Sequence, residues 1–170
     1  MSEKSNKPVV NNYYLEPGYI FVATNPTSIS TVLGSCVSVC LYDRKRKTGG
    51  MNHYRLPCIR EKNIATANYG NVAIITLIRM MIHDGSKLKH LEAQIFGGAY
   101  NPSVSKKDIG RENILIAKKT LARERIHITS EDVGGRKGRK IVFNTDTNEI
   151  VVLKVDRLRL SDWYPYENDR

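Results

Sequence analysis

The pattern of apolar and polar positions changes period several times along the chain, and each change marks an element. A short strand is predicted over Tyr19 to Ala23, before the break at Asn25-Pro26. From Ile29 to Tyr42 the chain is dense in Val, Ile, Thr, Tyr and Ser, interrupted at Gly34-Ser35. Val37, Val39 and Leu41 alternate there with Ser38, Cys40 and Tyr42, the period of a strand. The solvated run Asp43-Arg44-Lys45-Arg46-Lys47 and the pair Gly49-Gly50 read as a turn, which predicts a hairpin whose return limb carries Met51-Asn52-His53-Tyr54 and stops at Pro57.

From Asn68 to Asp84 the spacing changes. Val72, Ile75, Ile78, Met81 and Ile82 form an apolar stripe closed by Gly85, which predicts an amphipathic helix. Leu91, Ala93 and Ile95 alternate as a strand running into Phe96-Gly97-Gly98-Ala99. Ser105 and Asp108, in a capping-box-like arrangement, open a second helix carrying Ile114, Ala117 and Leu121. Strands follow at Ile126 to Thr129, Lys140 to Phe143 and Glu149 to Val155, the last two as a hairpin. Strands in runs with two helices interposed define an α+β class rather than strict βαβ alternation.

At 170 residues the chain has room for one domain. Residues 1–12 are polar and aperiodic and read as an N-terminal tail, 13–160 as a single domain and 161–170 as a C-terminal tail. A hydrophobic content of 41% excludes wholesale disorder. Three cysteines, Cys36, Cys40 and Cys58, are too few for a disulfide framework and contain no C-x-x-C pair. With no apolar leader at the N-terminus and no run long enough to span a bilayer, the expectation is a cytoplasmic protein without membrane insertion.

Charge sharpens this picture only a little. Lys and Arg number 27 against 17 Asp and Glu, a net charge of +10 clustered at Arg44 to Lys47, Lys118 to Arg125 and Arg136 to Lys140. Aromatic stacking residues are not interleaved with these clusters, and the Gly134 to Lys140 segment lacks the ending of a phosphate-binding loop, so no nucleic-acid partner is predicted. The clusters read as solvated surface, or as an aid to docking on an acidic partner. Histidines and carboxylates do not fall at metal-ligand spacing, so neither metal nor cofactor is predicted.

The candidate chemistry lies at Leu33-Gly34-Ser35-Cys36, where a glycine turn delivers a thiol to the start of a strand. Backbone N–H groups left open in such a turn, here at Gly34 and Ser35, favour a thiolate and can hold an oxyanion. A cysteine there is also simply a small residue that buries well. The predicted hairpin brings His53 beside the same end of the strand pair, and a thiol with an imidazole is the minimum equipment of a cysteine nucleophile. His83, at a helix end, and His90 and His127 have no such neighbour. Cys40 and Cys58 read as structural.

The run Leu33-Gly34-Ser35-Cys36-Val37, the segment Gly49-Gly50-Met51-Asn52-His53-Tyr54-Arg55-Leu56-Pro57, and then Ile95-Phe96-Gly97-Gly98-Ala99, Ile109-Gly110-Arg111-Glu112-Asn113 and Glu131-Asp132-Val133-Gly134-Gly135 resemble, in order, the motifs of the chemoreceptor glutamine deamidases, the CheD family. The resemblance covers roughly Tyr19 to Val155. It implies a layered β-sandwich with two or three helices packed outside, and a Cys-His-Thr site that converts receptor glutamines to glutamate through a cysteine thioester, with glutamyl methyl esters as a second substrate. By that resemblance Cys36 is the nucleophile and His53 the base. The third residue, six positions before the cysteine, falls on Ser30, with Thr31 beside it in reserve. The resemblance also implies a CheC-type phosphatase as partner. The rival reading is a binding module without enzymatic activity that regulates such a phosphatase.

Overall fold

The computed structural model describes residues 10–159. Among them run β1 (Asn11–Tyr14), β2 (Ile20–Val22), β3 (Thr27–Leu33), β4 (Val37–Asp43), β5 (Thr48–Asn52), α1 (Gly70–His83), β6 (Leu91–Gly97), α2 (Ile109–Arg123), β7 (His127–Val133), β8 (Gly138–Asn144) and β9 (Ile150–Val155). The strands form two mixed sheets, one ordered β1-β3-β8-β9 and the other β2-β5-β4-β6-β7. This is the expected α+β layered sandwich.

Two apolar clusters fix the layers. Ile29 and Leu33 of β3 and Ile141 and Phe143 of β8 meet Cys40, Met51 and Phe96 between the sheets. On the opposite face of the five-stranded sheet, Val37, Val39 and Leu41 of β4 pack with Ala73, Ile74 and Leu77 of α1 and Ala117 and Leu121 of α2. Every residue of β4 is therefore buried. Its alternation reports not an inside and an outside but two covered faces, one carrying Val37, Val39 and Leu41 and the other Ser38, Cys40 and Tyr42.

Several expectations need correction. Asn11 and Asn12, placed in the tail by composition, pair in parallel with Thr27 and Ser28 as the start of β1. The 161–170 tail lies outside the described residues. The β4–β5 hairpin turns at Arg44–Lys47, where Asp43 Oδ1 accepts from the N–H of Lys45 at 2.9 Å and of Arg46 at 3.0 Å and Lys47 takes φ 51°. Gly49 and Gly50 lie inside β5 instead. A Cβ at Gly49 would stand 2.8 Å from both the Leu41 carbonyl oxygen and the Phe143 ring, so crowding, not turning, requires the glycine.

The face of α1 is also shifted. Gly70, Ala73, Ile74, Leu77, Ile78 and Met81 are buried, whereas Ile82 is 42% exposed. Steps of three residues drift about 60° each around a 3.6-residue helix, so the predicted stripe slides off the buried face at its ends. At α2 the cap is Asp108 alone, accepting from Arg111 N–H at 2.9 Å, while Ser105 Oγ bonds the Lys107 carbonyl in the preceding loop. None of the described helices is long and apolar enough to cross a membrane.

Candidate active site

The turn between β3 and β4 is built by its neighbours. Ala99 N–H donates to the Gly34 carbonyl at 2.9 Å and Gly98 N–H to the Cys36 carbonyl at 2.8 Å. Asn113, from α2, donates its side-chain N–H to the Ser35 carbonyl at 2.9 Å. All three carbonyls of Gly34-Ser35-Cys36 are thus engaged. Among the described residues no hydrogen bond takes the N–H of Gly34 or Ser35. Gly97, at φ +105°, permits this approach: a Cβ there would drive into the Cys36 carbonyl.

The opposite strand is fixed to the turn by the same residues. Val37 and Tyr54 exchange backbone hydrogen bonds of 3.1 and 3.0 Å. That register places Cys36 diagonal to His53 on the face turned toward the four-stranded sheet, and the Arg55 charge acts on both. Tyr54 faces the other way and donates its hydroxyl to the Asn113 carbonyl at 2.6 Å. Asn113 also donates to the Arg55 carbonyl at 3.0 Å, so one buried amide ties both strands of the site together.

Thr31 reaches His53 from across the sandwich. Its hydroxyl lies 2.7 Å from His53 Nδ1 and 2.7 Å from the Leu15 carbonyl. A carbonyl only accepts, so the hydroxyl proton points to Leu15 and the oxygen must accept from the ring. The proton of the neutral imidazole therefore sits on Nδ1, and Nε2 carries the basic lone pair. Ser30 is not the residue that meets the histidine. Thr31 shares the inner face with Ile29 and Leu33 and is fully buried, whereas Ser30 is half-buried with its side chain on the outer face, the consequence of strand alternation.

Burial sets the protonation of the pair. Cys36 is 8% exposed, and desolvation pushes its thiol up to about 11 despite the opposing pull of the Arg55 cation and of its own backbone N–H. Desolvation and the same Arg55 charge hold His53 down to about 3. Thiol and imidazole are thus both neutral at rest. The thiol opens on a cleft of about 560 Å3 lined also by Arg55, Leu56, Ile64 and Tyr69.

The remaining candidates sit elsewhere. Cys40 is sealed in the core between the sheets, where burial raises its thiol further still, and Cys58 is exposed in the loop after β5. Among the described residues no group of three or more His, Cys, Asp and Glu side chains is placed to hold a metal ion. Sequence reading assigned no role to Asn113, Arg55 or the Leu15 carbonyl. Only Asn113 left a signal, a polar residue four positions before Ala117 on the apolar face of its helix.

The fold is a layered α+β sandwich in which Cys36 lies diagonal to His53 across one strand pair and Thr31 of the other sheet meets the His53 imidazole. The family profile described as CheD chemotactic sensory transduction matches residues 56–154. A protein of Trichlorobacter lovleyi named probable chemoreceptor glutamine deamidase CheD is 41% identical over 154 residues, 89% of this chain and 95% of the relative. Proteins of the same name from Sulfurimonas denitrificans and Methanococcus vannielii are 40% and 34% identical over 147 and 145 residues, each covering 94% of the relative and 85% and 84% of this chain. The chain belongs to the CheD family.

Proposed function

We propose that the chain deamidates glutamine side chains of chemoreceptors, with Cys36 as nucleophile, His53 as base and Thr31 orienting the imidazole. The observation that carries this reading is the Thr31–His53–Leu15 relay, which leaves His53 Nε2 as the lone pair on the face that Cys36 shares. Substrate specificity is carried over from the relatives named as chemoreceptor glutamine deamidases.

In this mechanism His53 Nε2 takes the Cys36 proton as sulfur bonds to the glutamine side-chain carbonyl carbon. The tetrahedral oxyanion is held by the turn N–H groups of Gly34 and Ser35. The C–N bond breaks as the imidazolium returns the proton to nitrogen, and ammonia leaves a thioester. Water, deprotonated by His53, attacks that thioester, and the thiol departs with the proton, leaving glutamate. Glutamyl methyl esters present the same carbonyl with methanol as leaving group, so they are included as substrates. The reading places the protein in the cytoplasm beside receptor signalling domains, with a CheC-type phosphatase as the partner its family resemblance implies.

Ammonia release from purified receptor cytoplasmic fragments tests it. The wild type is expected to release ammonia and Cys36→Ala none; equal release from the two would refute the cysteine mechanism. Absence of release from the wild type on every receptor of its own cell would favour the binding-module reading.

A further inference from the structure

The cleft that holds Cys36 borders a second one. This second cleft, of about 530 Å3, lies on the other side of the Gly34–Cys36 turn, lined by residues that include Tyr100, Val104, Lys107, Arg136 and Arg157. The two clefts share Ser35 and Ile109, so a bound chain can run from one to the other across the turn. Apolar side chains stand open along this path: Leu56, Ile64 and, most of all, Val104, which is 82% exposed.

Charge along the two clefts is mostly positive. Arg55, Lys107, Arg136 and Arg157 line them against a single carboxylate, Asp156, which is itself engaged by Lys137 at 3.4 Å. Lys107 has an exposed partner in Glu112 at 3.5 Å, but among the described residues no carboxylate pairs with Arg55, Arg136 or Arg157. The other basic clusters lie elsewhere. Arg44–Lys47 sits at the far end of β4, roughly 25 Å along the strand from Cys36. On the later turns of α2, Lys118 and Arg123 are paired with Glu131 and Glu124. Uncompensated positive charge is therefore continuous with the reactive turn.

We propose that the second cleft is a substrate subsite that binds an acidic, partly apolar segment of the receptor flanking the target glutamine. This rests on the deamidase reading above. A glutamine side chain inserted at Cys36 leaves the adjoining polypeptide to cross Ser35 and Ile109, where Val104 supplies apolar contact and Arg136 and Arg157 meet its carboxylates. Rim charges of this kind act on encounter and ground-state binding more than on the chemical step.

Steady-state deamidation of a receptor cytoplasmic fragment by the wild type and by an Arg136→Glu/Arg157→Glu variant tests the subsite. At low salt KM is expected to rise at least about fivefold in the variant while kcat stays within about twofold. The difference should close in about 1 M salt, where screening length falls to about 3 Å, and a fragment whose acidic residues beside the glutamine are changed to Lys should recover KM with the variant. An active wild type with an unchanged KM in the variant, or a KM difference that persists at high salt, overturns the subsite alone. A wild type inactive on every receptor fragment overturns the deamidase reading, and the subsite with it.

Discussion

Thr31 Oγ1 and His53 Nδ1 stand 2.7 Å apart across the interior of the sandwich, one from each sheet, and the Leu15 carbonyl that takes the threonine proton decides which ring nitrogen is basic. The site is thus a product of sheet packing rather than of a local motif. Thr31→Val keeps the shape and removes the buried hydroxyl that bridges the Leu15 carbonyl and His53 Nδ1. Denaturant unfolding should show a loss of about 1–3 kcal/mol, and ammonia release should fall roughly ten- to a hundredfold, the usual share of an oriented base. Ser30→Ala should change stability by no more than about 0.5 kcal/mol and leave release intact. The opposite ranking would return the orienting role to Ser30.

The thiol's reactivity should carry the imprint of burial and of Arg55. With its thiol pushed up to about 11, Cys36 should alkylate slowly at neutral pH. Its rate should climb about tenfold per pH unit below that value, since only the thiolate reacts. Arg55→Gln removes a cation that lowers the thiol, so it should slow alkylation further at any pH below about 11. Iodoacetamide kinetics in a Cys58→Ser background, which removes the exposed competing thiol, measure both effects; faster alkylation in Arg55→Gln would contradict the assignment.

His53 ties folding to pH. Its imidazole falls from an unfolded value of about 6.5 to about 3 in the folded protein. Between those values the unfolded chain binds one more proton than the native one, so stability contributed by the neutral ring is complete above about 6.5 and is lost as pH falls toward 3. The contribution to the slope approaches about 1.4 kcal/mol per pH unit in that window. His53→Gln should flatten the stability curve there by that amount, read from urea midpoints; an unchanged slope would mean that the ring is already charged when folded.

Asn113 supplies the donors that hold Ser35 and Arg55 in place. Asn113→Ala should cost about 2–3 kcal/mol by leaving buried carbonyls without partners, and should slow ammonia release because the turn carrying Cys36 loosens. Asn113→Asp, though closer in shape, should be worse than Ala, since it offers only acceptors to two carbonyl oxygens. Thermal melts and release assays on the pair check the order; Asp better tolerated than Ala would refute the clamp.

Period-two and helical patterning located most strands and both α-helices, because β4, β6, α1 and α2 each bury a continuous apolar face. β1 escaped because its residues, Asn-Asn-Tyr-Tyr, carry no apolar pattern; it is recruited by backbone pairing with β3. The Gly49-Gly50 pair misled because glycine answers both to turns and to crowding, and the crowding comes from neighbours distant in sequence, such as the Phe143 ring of the other sheet. That Cys36 and His53 lie close together was legible because a hairpin register relates them. Thr31 was not separable from Ser30, since the choice depends on which face of β3 meets the second sheet, a contact between residues 22 apart in sequence. Arg55 and Leu15 act through charge and a backbone carbonyl, which leave no pattern in the sequence.

In the proposed reaction Cys36 converts a receptor glutamine to glutamate, and intact-mass and peptide spectrometry of receptor cytoplasmic fragments measures that conversion directly. Incubation with the wild type should add about 1 Da at each modified glutamine, the difference between amide and acid, and Cys36→Ala should add nothing. Fragments unchanged in mass after incubation with the wild type, or equally changed by Cys36→Ala, would contradict it.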